Sequence, residues 1–111
     1  MIKGDIGLFE LPFQGGHEQA GTRPAIIISV NNFQTHKMLS VVPFTSQLNA
    51  NSYPDTCIVK PSSINGLSNE SVALVFQLRA ISSTRFKKKL GNLEQSSLFH
   101  IEKILRAMLG L

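Results

Sequence analysis

Six consecutive residues, Ala25-Ile26-Ile27-Ile28-Ser29-Val30, restrict the fold of this chain more than any other stretch. β-Branched side chains lose freedom in a helix and fit a pleated strand. A run that is apolar at both odd and even positions has no solvent face, so it belongs in the middle of a sheet with both sides covered. The segment Pro24–Val30 is therefore predicted as a central strand. Directly before it, residues 15–23 form a polar stretch that carries His17, Glu18, Gln19, Thr22 and Arg23 between Gly15-Gly16 and Pro24. Glycine allows such a loop to turn tightly back on the sheet, and a buried strand gives its polar groups a rigid base.

The remaining elements follow from the same patterns. Asp5–Leu11 reads as a first strand and Met38–Phe44 as another, with Pro43 marking a strand end or edge. Asn31–Lys37 is turn-like, with room for one helical turn around Phe33. Asn49–Pro54 reads as a polar loop, Thr56–Lys60 as a short strand, and Pro61–Asn69 as a turn centred on Asn65-Gly66. Ser71–Leu78 is predicted as one further strand. A short turn then passes Arg85-Phe86 to the basic run Lys87-Lys88-Lys89, which Gly91 breaks. Leu98, Ile101, Ile104, Leu105 and Met108 recur at helical spacing within Leu93–Leu109, and Gly110 is a natural stop. Short strands with Gly/Pro turns and one terminal amphipathic helix make a mainly β (α+β) chain. The pattern suggests a small curled antiparallel barrel plus helix, and periodicity by itself does not choose a barrel over an open sheet. At 111 residues it is read as a single domain, 1–111.

Composition narrows the chemistry. Cys57 is the sole cysteine, so there is no internal disulfide and no thiolate metal cluster. No apolar run reaches membrane-spanning length and no signal-peptide core is visible, so a cytoplasmic, membrane-free setting is expected. Charge is uneven. Residues 79–111 carry Arg79, Arg85, Lys87, Lys88, Lys89, Lys103 and Arg106 against only Glu94 and Glu102. A basic C-terminal third suits a polyanion or an acidic partner protein, and equally a solubilising face. Motifs for phosphate-binding helices, zinc proteases and serine nucleophiles are missing, and the carboxylates are scattered rather than grouped as a metal-dependent nuclease would group them.

Five stretches in order carry a resemblance. They are Lys3-Gly4-Asp5-Ile6-Gly7-Leu8, Gly16-His17-Glu18-Gln19 through Gly21-Thr22-Arg23-Pro24, Val42-Pro43-Phe44-Thr45-Ser46, Gln77-Leu78-Arg79-Ala80-Ile81 and Lys89-Leu90-Gly91-Asn92-Leu93. Together they resemble the MazF/PemK family of toxins, small ribonucleases of prokaryotic toxin–antitoxin modules. The resemblance implies an SH3-like (CcdB/PemK-type) barrel, a homodimer, single-stranded RNA as substrate and an antitoxin protein as partner, with operator DNA reached through the antitoxin. It implies sequence-selective cleavage through the ribose 2′-hydroxyl without metal or other cofactor. The alternative on the same fold is a non-catalytic, CcdB-like inhibitor of DNA gyrase; a plain nucleic-acid-binding module is a third class.

Residue roles follow the family motif. Arg23 is assigned to the scissile phosphate, which guanidinium matches in a two-pronged geometry, or else it pins the loop through Glu18. Thr45 is placed at the end of the middle strand, as a phosphate or nucleophile contact or as a cap of its own backbone. His17 and Glu18 are the candidate proton carriers, with Glu18 alternatively orienting Arg23. Gln19, Thr22, Ser46, Gln77 and Arg79 are expected to contact RNA, while His36 and His100 carry no assignment. The loops around Phe13 and Phe33, Asn49–Tyr53 and Pro61–Asn69 are expected to line the groove. One departure stands out. Part of the family has an Arg/Asp acid–base pair just before the Gln-x-Arg stretch, where this chain has Leu74 and Phe76.

Overall fold

A computed structural model describes residues 1–12, 21–32 and 37–111. Seven strands and one helix follow in order: β1 Asp5–Leu11, β2 Gly21–Asn32, β3 Lys37–Thr45, β4 Thr56–Val59, β5 Ser71–Leu74, β6 Arg79–Ser82, β7 Phe86–Asn92 and α1 Gln95–Leu109. Single turns of 3-10 helix, Leu48–Ser52, Val75–Gln77 and Ser83–Arg85, join them. All strand pairings are antiparallel, in the order β4-β5-β3-β2-β1-β7, with β6 also on β3. The sheet curls like a barrel without closing on itself.

β2 holds the centre, as its apolar run requires. Ala25 and Ile27 point into one core with Phe9, Leu11, Leu39, Val41 and Ile81. Ile26, of opposite parity, points into the other core with Ile6, Val42, Phe44 and the helix residues Leu98, Ile101 and Leu105. Burying a side chain of this size contributes roughly 1.5–3 kcal/mol, so the helix is held by its packed stripe more than by propensity. Ile104 and Met108 complete that stripe from its half-buried edge. Gly110, at φ 73°, ends the helix, and the Leu111 N–H returns to the Arg106 carbonyl at 2.8 Å.

Several sequence expectations are corrected. β2 begins at Gly21, because Gly21, Thr22 and Arg23 pair with Leu11, Glu10 and Phe9 of β1; Thr22 and Arg23 are strand residues rather than loop residues. Pro43 lies inside β3. On one side β3 pairs with β6 through Met38–Val41 and with β5 through Phe44–Thr45. Pro43 sits in the interval between these partners, where a missing N–H costs no bond on that side, and on its other side it is paired with Ala25 of β2. Ser71–Leu78 is not one strand: β5 ends at Leu74, a 3-10 turn crosses the gap, and β6 resumes on the other half of β3. The basic run is itself strand β7, on the outer edge of β1, and Gly91 lies within it, paired with Ile6. The polar stretch Asn49–Pro54 contains a 3-10 turn, and Asn31, Asn32 and Lys37 lie in strands. The helical turn read around Phe33 falls outside the described residues.

The turn after β4 is fixed by a buried asparagine. The Asn65 carbonyl oxygen accepts from the Ser62 and Leu67 N–H groups, both at 3.0 Å, and its amide donates to the Lys60 carbonyl at 2.9 Å and to Glu94 at 3.1 Å. Ser62 Oγ donates to the same carboxylate at 2.6 Å. Gly66 adopts φ +69°, and a Cβ there would lie 2.1 Å from the Leu90 carbonyl oxygen. The turn can rest on β7 only with glycine at that contact.

Candidate active site

Register explains why Arg23 and Thr45 meet. β2 and β3 pair Ala25 with Pro43, Ile26 with Val42 and Ile27 with Val41. Continuing that register by two residues sets Arg23 across from Thr45. On the other side of β2, Leu8 of β1 lies between Pro24 and Lys88 of β7. These strands, together with the 67–71 segment, wall a cavity of about 320 Å³. Arg23, Thr45, Ser46, Ser68, Asn69, Ser71 and Lys88 supply its polar groups. Among the described residues, its lining holds two cations and no carboxylate.

Thr45 is buried, and its Oγ1 accepts the Gln47 N–H at 3.2 Å. A hydroxyl that accepts from the backbone retains its own hydrogen to donate into the cavity. Thr45 also walls a second, larger cavity of about 650 Å³, shared with Gln47, Ala50, Tyr53, Pro54, Leu74, Phe76 and Gln77. The two cavities thus adjoin at one side chain. Leu74 is buried and Phe76 exposed, so where part of the resembled family has a charged pair this chain presents apolar groups.

The sequence-assigned residues divide into three groups. Arg23, Thr45, Ser46 and Gln77 are brought together around the paired cavities. Thr22 and Arg79 lie outside both linings. Thr22 Oγ1 donates to Glu10 at 2.7 Å across β1 and β2, and the Arg79 guanidinium donates to the Pro12 carbonyl at 2.8 Å, holding the chain just past β1. His17, Glu18 and Gln19 lie outside the described residues, as do Phe13 and Phe33. Ala50 and Tyr53 from one expected groove loop, and Leu67, Ser68 and Asn69 from the other, line the cavities.

Lys88 and Phe76 are additions that sequence spacing did not single out. Each owes its place to strand order rather than to neighbours in the chain. Cys57 is buried, and burial pushes its thiol above the ordinary range, which keeps it protonated and inert. Among the described residues no group of three or more His, Cys, Asp or Glu is placed to hold a metal ion, and no helix is long and apolar enough to cross a membrane.

Comparison with known proteins finds one family and the same fold. Residues 2–109 match the family described as PemK-like, MazF-like toxin of type II toxin–antitoxin system. The chain is 29% identical over 110 residues to the endoribonuclease MazF of Staphylococcus epidermidis, covering 98% of this chain and 91% of that protein. It superposes on the crystal structure of MazF (Form-I) from Deinococcus radiodurans with a TM-score of 0.78 at 23% identity, over 100% of this chain and 97% of that one. It also superposes on the MazE–MazF (Form-II) structure from the same organism, with a TM-score of 0.74 at 26% identity, over 100% and 96% of the two chains.

Proposed function

This chain belongs to the PemK-like, MazF-like toxin family of type II toxin–antitoxin systems, and from that premise we propose that it is a sequence-selective, metal-independent endoribonuclease. Its substrate is single-stranded mRNA, and an antitoxin protein neutralises it, as the MazE–MazF pairing of the Deinococcus radiodurans structure supports. It works in the cytoplasm as a homodimer.

The observation that carries this reading is the cavity whose described lining gathers Arg23, Lys88, Thr45 and Ser46. Two cations beside hydroxyl donors attract an anion such as a phosphate. In the proposed reaction the ribose 2′-oxygen attacks phosphorus, the bond to the 5′-oxygen breaks, and a 2′,3′-cyclic phosphate and a 5′-hydroxyl end result. The substrate carries its own nucleophile, so no activated serine or cysteine is needed. Arg23 grips the non-bridging oxygens, Thr45 donates its hydroxyl to the developing charge, and Lys88 adds a second cation. Glu18 or His17 takes the 2′-proton, and the leaving 5′-oxygen takes a proton from the other of the two or from water, which gives the 5′-hydroxyl.

The test is incubation of the purified chain with a long single-stranded RNA in EDTA, with cut ends mapped. Discrete cuts with 5′-hydroxyl ends are expected. Arg23→Ala should lower kcat by roughly 10²–10³, the usual loss of one preorganised donor to a developing oxyanion. Its melting temperature should hold, because Arg23 is exposed. Cleavage that requires added Mg²⁺ would end the metal-independent mechanism. Intact RNA in the presence of folded wild type would end the nuclease reading and return weight to gyrase inhibition.

A further inference from the structure

Tyr53 and Phe76 meet edge to face, with ring centroids 6.2 Å apart and planes at 71°. The contact does not bury them: Tyr53 stays 60% exposed and Phe76 43%. The Phe9–Phe86 pair shows what packing alone produces. Its angle is similar, 69° at 5.5 Å, but Phe9 is fully buried.

Both exposed rings stand on fixed backbone. The Tyr53 N–H donates to the Ala50 carbonyl at 3.1 Å, and the Thr56 hydroxyl donates to the Tyr53 carbonyl at 2.9 Å. The Phe76 N–H donates to the Asp55 carbonyl at 3.2 Å. Asp55 is the one non-glycine among the described residues at positive φ, 57°, a conformation aspartate tolerates better than most. That bend lets the segment after Tyr53 clasp the turn that bears Phe76. Two nearly perpendicular aromatic walls therefore stand in a corner of the larger cavity, which shares Thr45 with the anion cavity.

We propose that this corner is a nucleobase subsite: a base beside the scissile phosphate lies flat on one ring with its edge against the other. The inference rests on the ribonuclease reading and specifies which part of the substrate the second cavity takes. A planar heterocycle is the occupant that fits. The walls are π-faces, on which any base stacks. The exposed Gln47 amide on the same lining offers a donor and an acceptor to a base edge. Single-stranded RNA is the form that can splay a base into such a corner. Stacking supplies affinity at this position, and the amide supplies preference among bases.

Tyr53 is the sole tyrosine and the chain has no tryptophan, so protein emission reports on this ring alone. Once wild-type cleavage has revealed the cut sequence, the wild type is titrated with an uncleavable 2′-O-methyl oligonucleotide of that sequence, with emission corrected for RNA absorbance. The same oligonucleotide is then made abasic at each flanking nucleotide in turn. Quenching of Tyr53 is expected, and one abasic position should abolish it while weakening binding roughly 5- to 150-fold. Phe76→Ala should raise KM by a similar factor with kcat little changed and relax base choice at that position, and Phe76→Tyr should restore both. Unquenched Tyr53 at saturation, or equal affinity for every abasic oligonucleotide, overturns the subsite and leaves the nuclease standing. RNA left uncut by folded wild type overturns both. The abasic scan uses unmodified protein, so a Phe76→Ala variant that fails to fold does not remove the test.

Discussion

The turn Ser62–Leu67 and the segment Ser46–Tyr53 are both short, polar and irregular, yet they direct their side chains oppositely. In the first, Asn65 is fully buried with both ends of its amide bonded, and Ser62 and Glu94 close the knot. In the second, Ser46, Gln47 and Tyr53 are exposed on the cavity walls, and the segment carries local bonds such as that from the Ser52 hydroxyl to the Asn49 carbonyl. A buried amide with every partner supplied is scaffold, since losing any one of them leaves a desolvated group. Polar and aromatic groups left facing a cavity have bonding capacity for something else. Saturation, rather than polarity, separates the two.

Substitutions on each side should therefore move different observables. The largest effect is expected at Gly66→Ala, where the new Cβ would meet the Leu90 carbonyl oxygen at 2.1 Å and the backbone would stay at φ +69°. Crowding and left-handed strain together should cost roughly 2–5 kcal/mol, read by urea denaturation, with any activity lost only in proportion to the unfolded fraction. Next is Lys88→Gln on the cavity wall. It should reduce kcat/KM by about tenfold and flatten the salt dependence of RNA binding, with the unfolding midpoint unmoved. A changed midpoint with unchanged cleavage would transfer Lys88 to the scaffold.

The smallest effect is expected at Glu94→Gln, and it depends on pH. The Ser62 hydroxyl foremost, then the Glu94 backbone N–H and the Asn65 amide, hold the Glu94 carboxyl below its ordinary range. Protons therefore bind the unfolded chain more readily. The carboxylate's contribution is fully present above about pH 4.5, the ordinary value, and is lost as pH falls through the lower folded value. Unfolding curves of wild type and Glu94→Gln should separate at neutral pH and converge in acid; curves that stay parallel would show that the knot does not depend on this charge.

Much of the fold was legible because it is written in local pattern. β1 runs over the predicted Asp5–Leu11, and the helix stripe and its Gly110 stop reflect 3.6-residue spacing and a glycine at positive φ. Pro43 and Ser71–Leu78 misled because their conformation depends on which strand lies alongside. The apolar run Val72-Ala73-Leu74-Val75 has no internal mark to show that β3 changes partner beside it. The candidate site was legible where the family motif named a residue and where the polar loops Asn49–Tyr53 and Pro61–Asn69 were expected to line a groove. Arg23 and Thr45 belong to segments whose apposition is set by the β2–β3 register, and Lys88 arrives from an edge strand that the sequence showed only as a charge run. Phe76, in an apolar stretch, carries no sign of facing outward.

β1 lies between β2 and β7, so residues near opposite ends of the chain must pair before Lys88 can stand near Arg23; Asp5 is matched with Asn92. A ribosome extends a chain by about 5–20 residues each second, and β7 leaves it after the other six strands. Until then one wall of the anion cavity is missing. A nascent chain thus lacks the finished anion cavity while β1 to β6 emerge, and acquires it only once β7 has followed them.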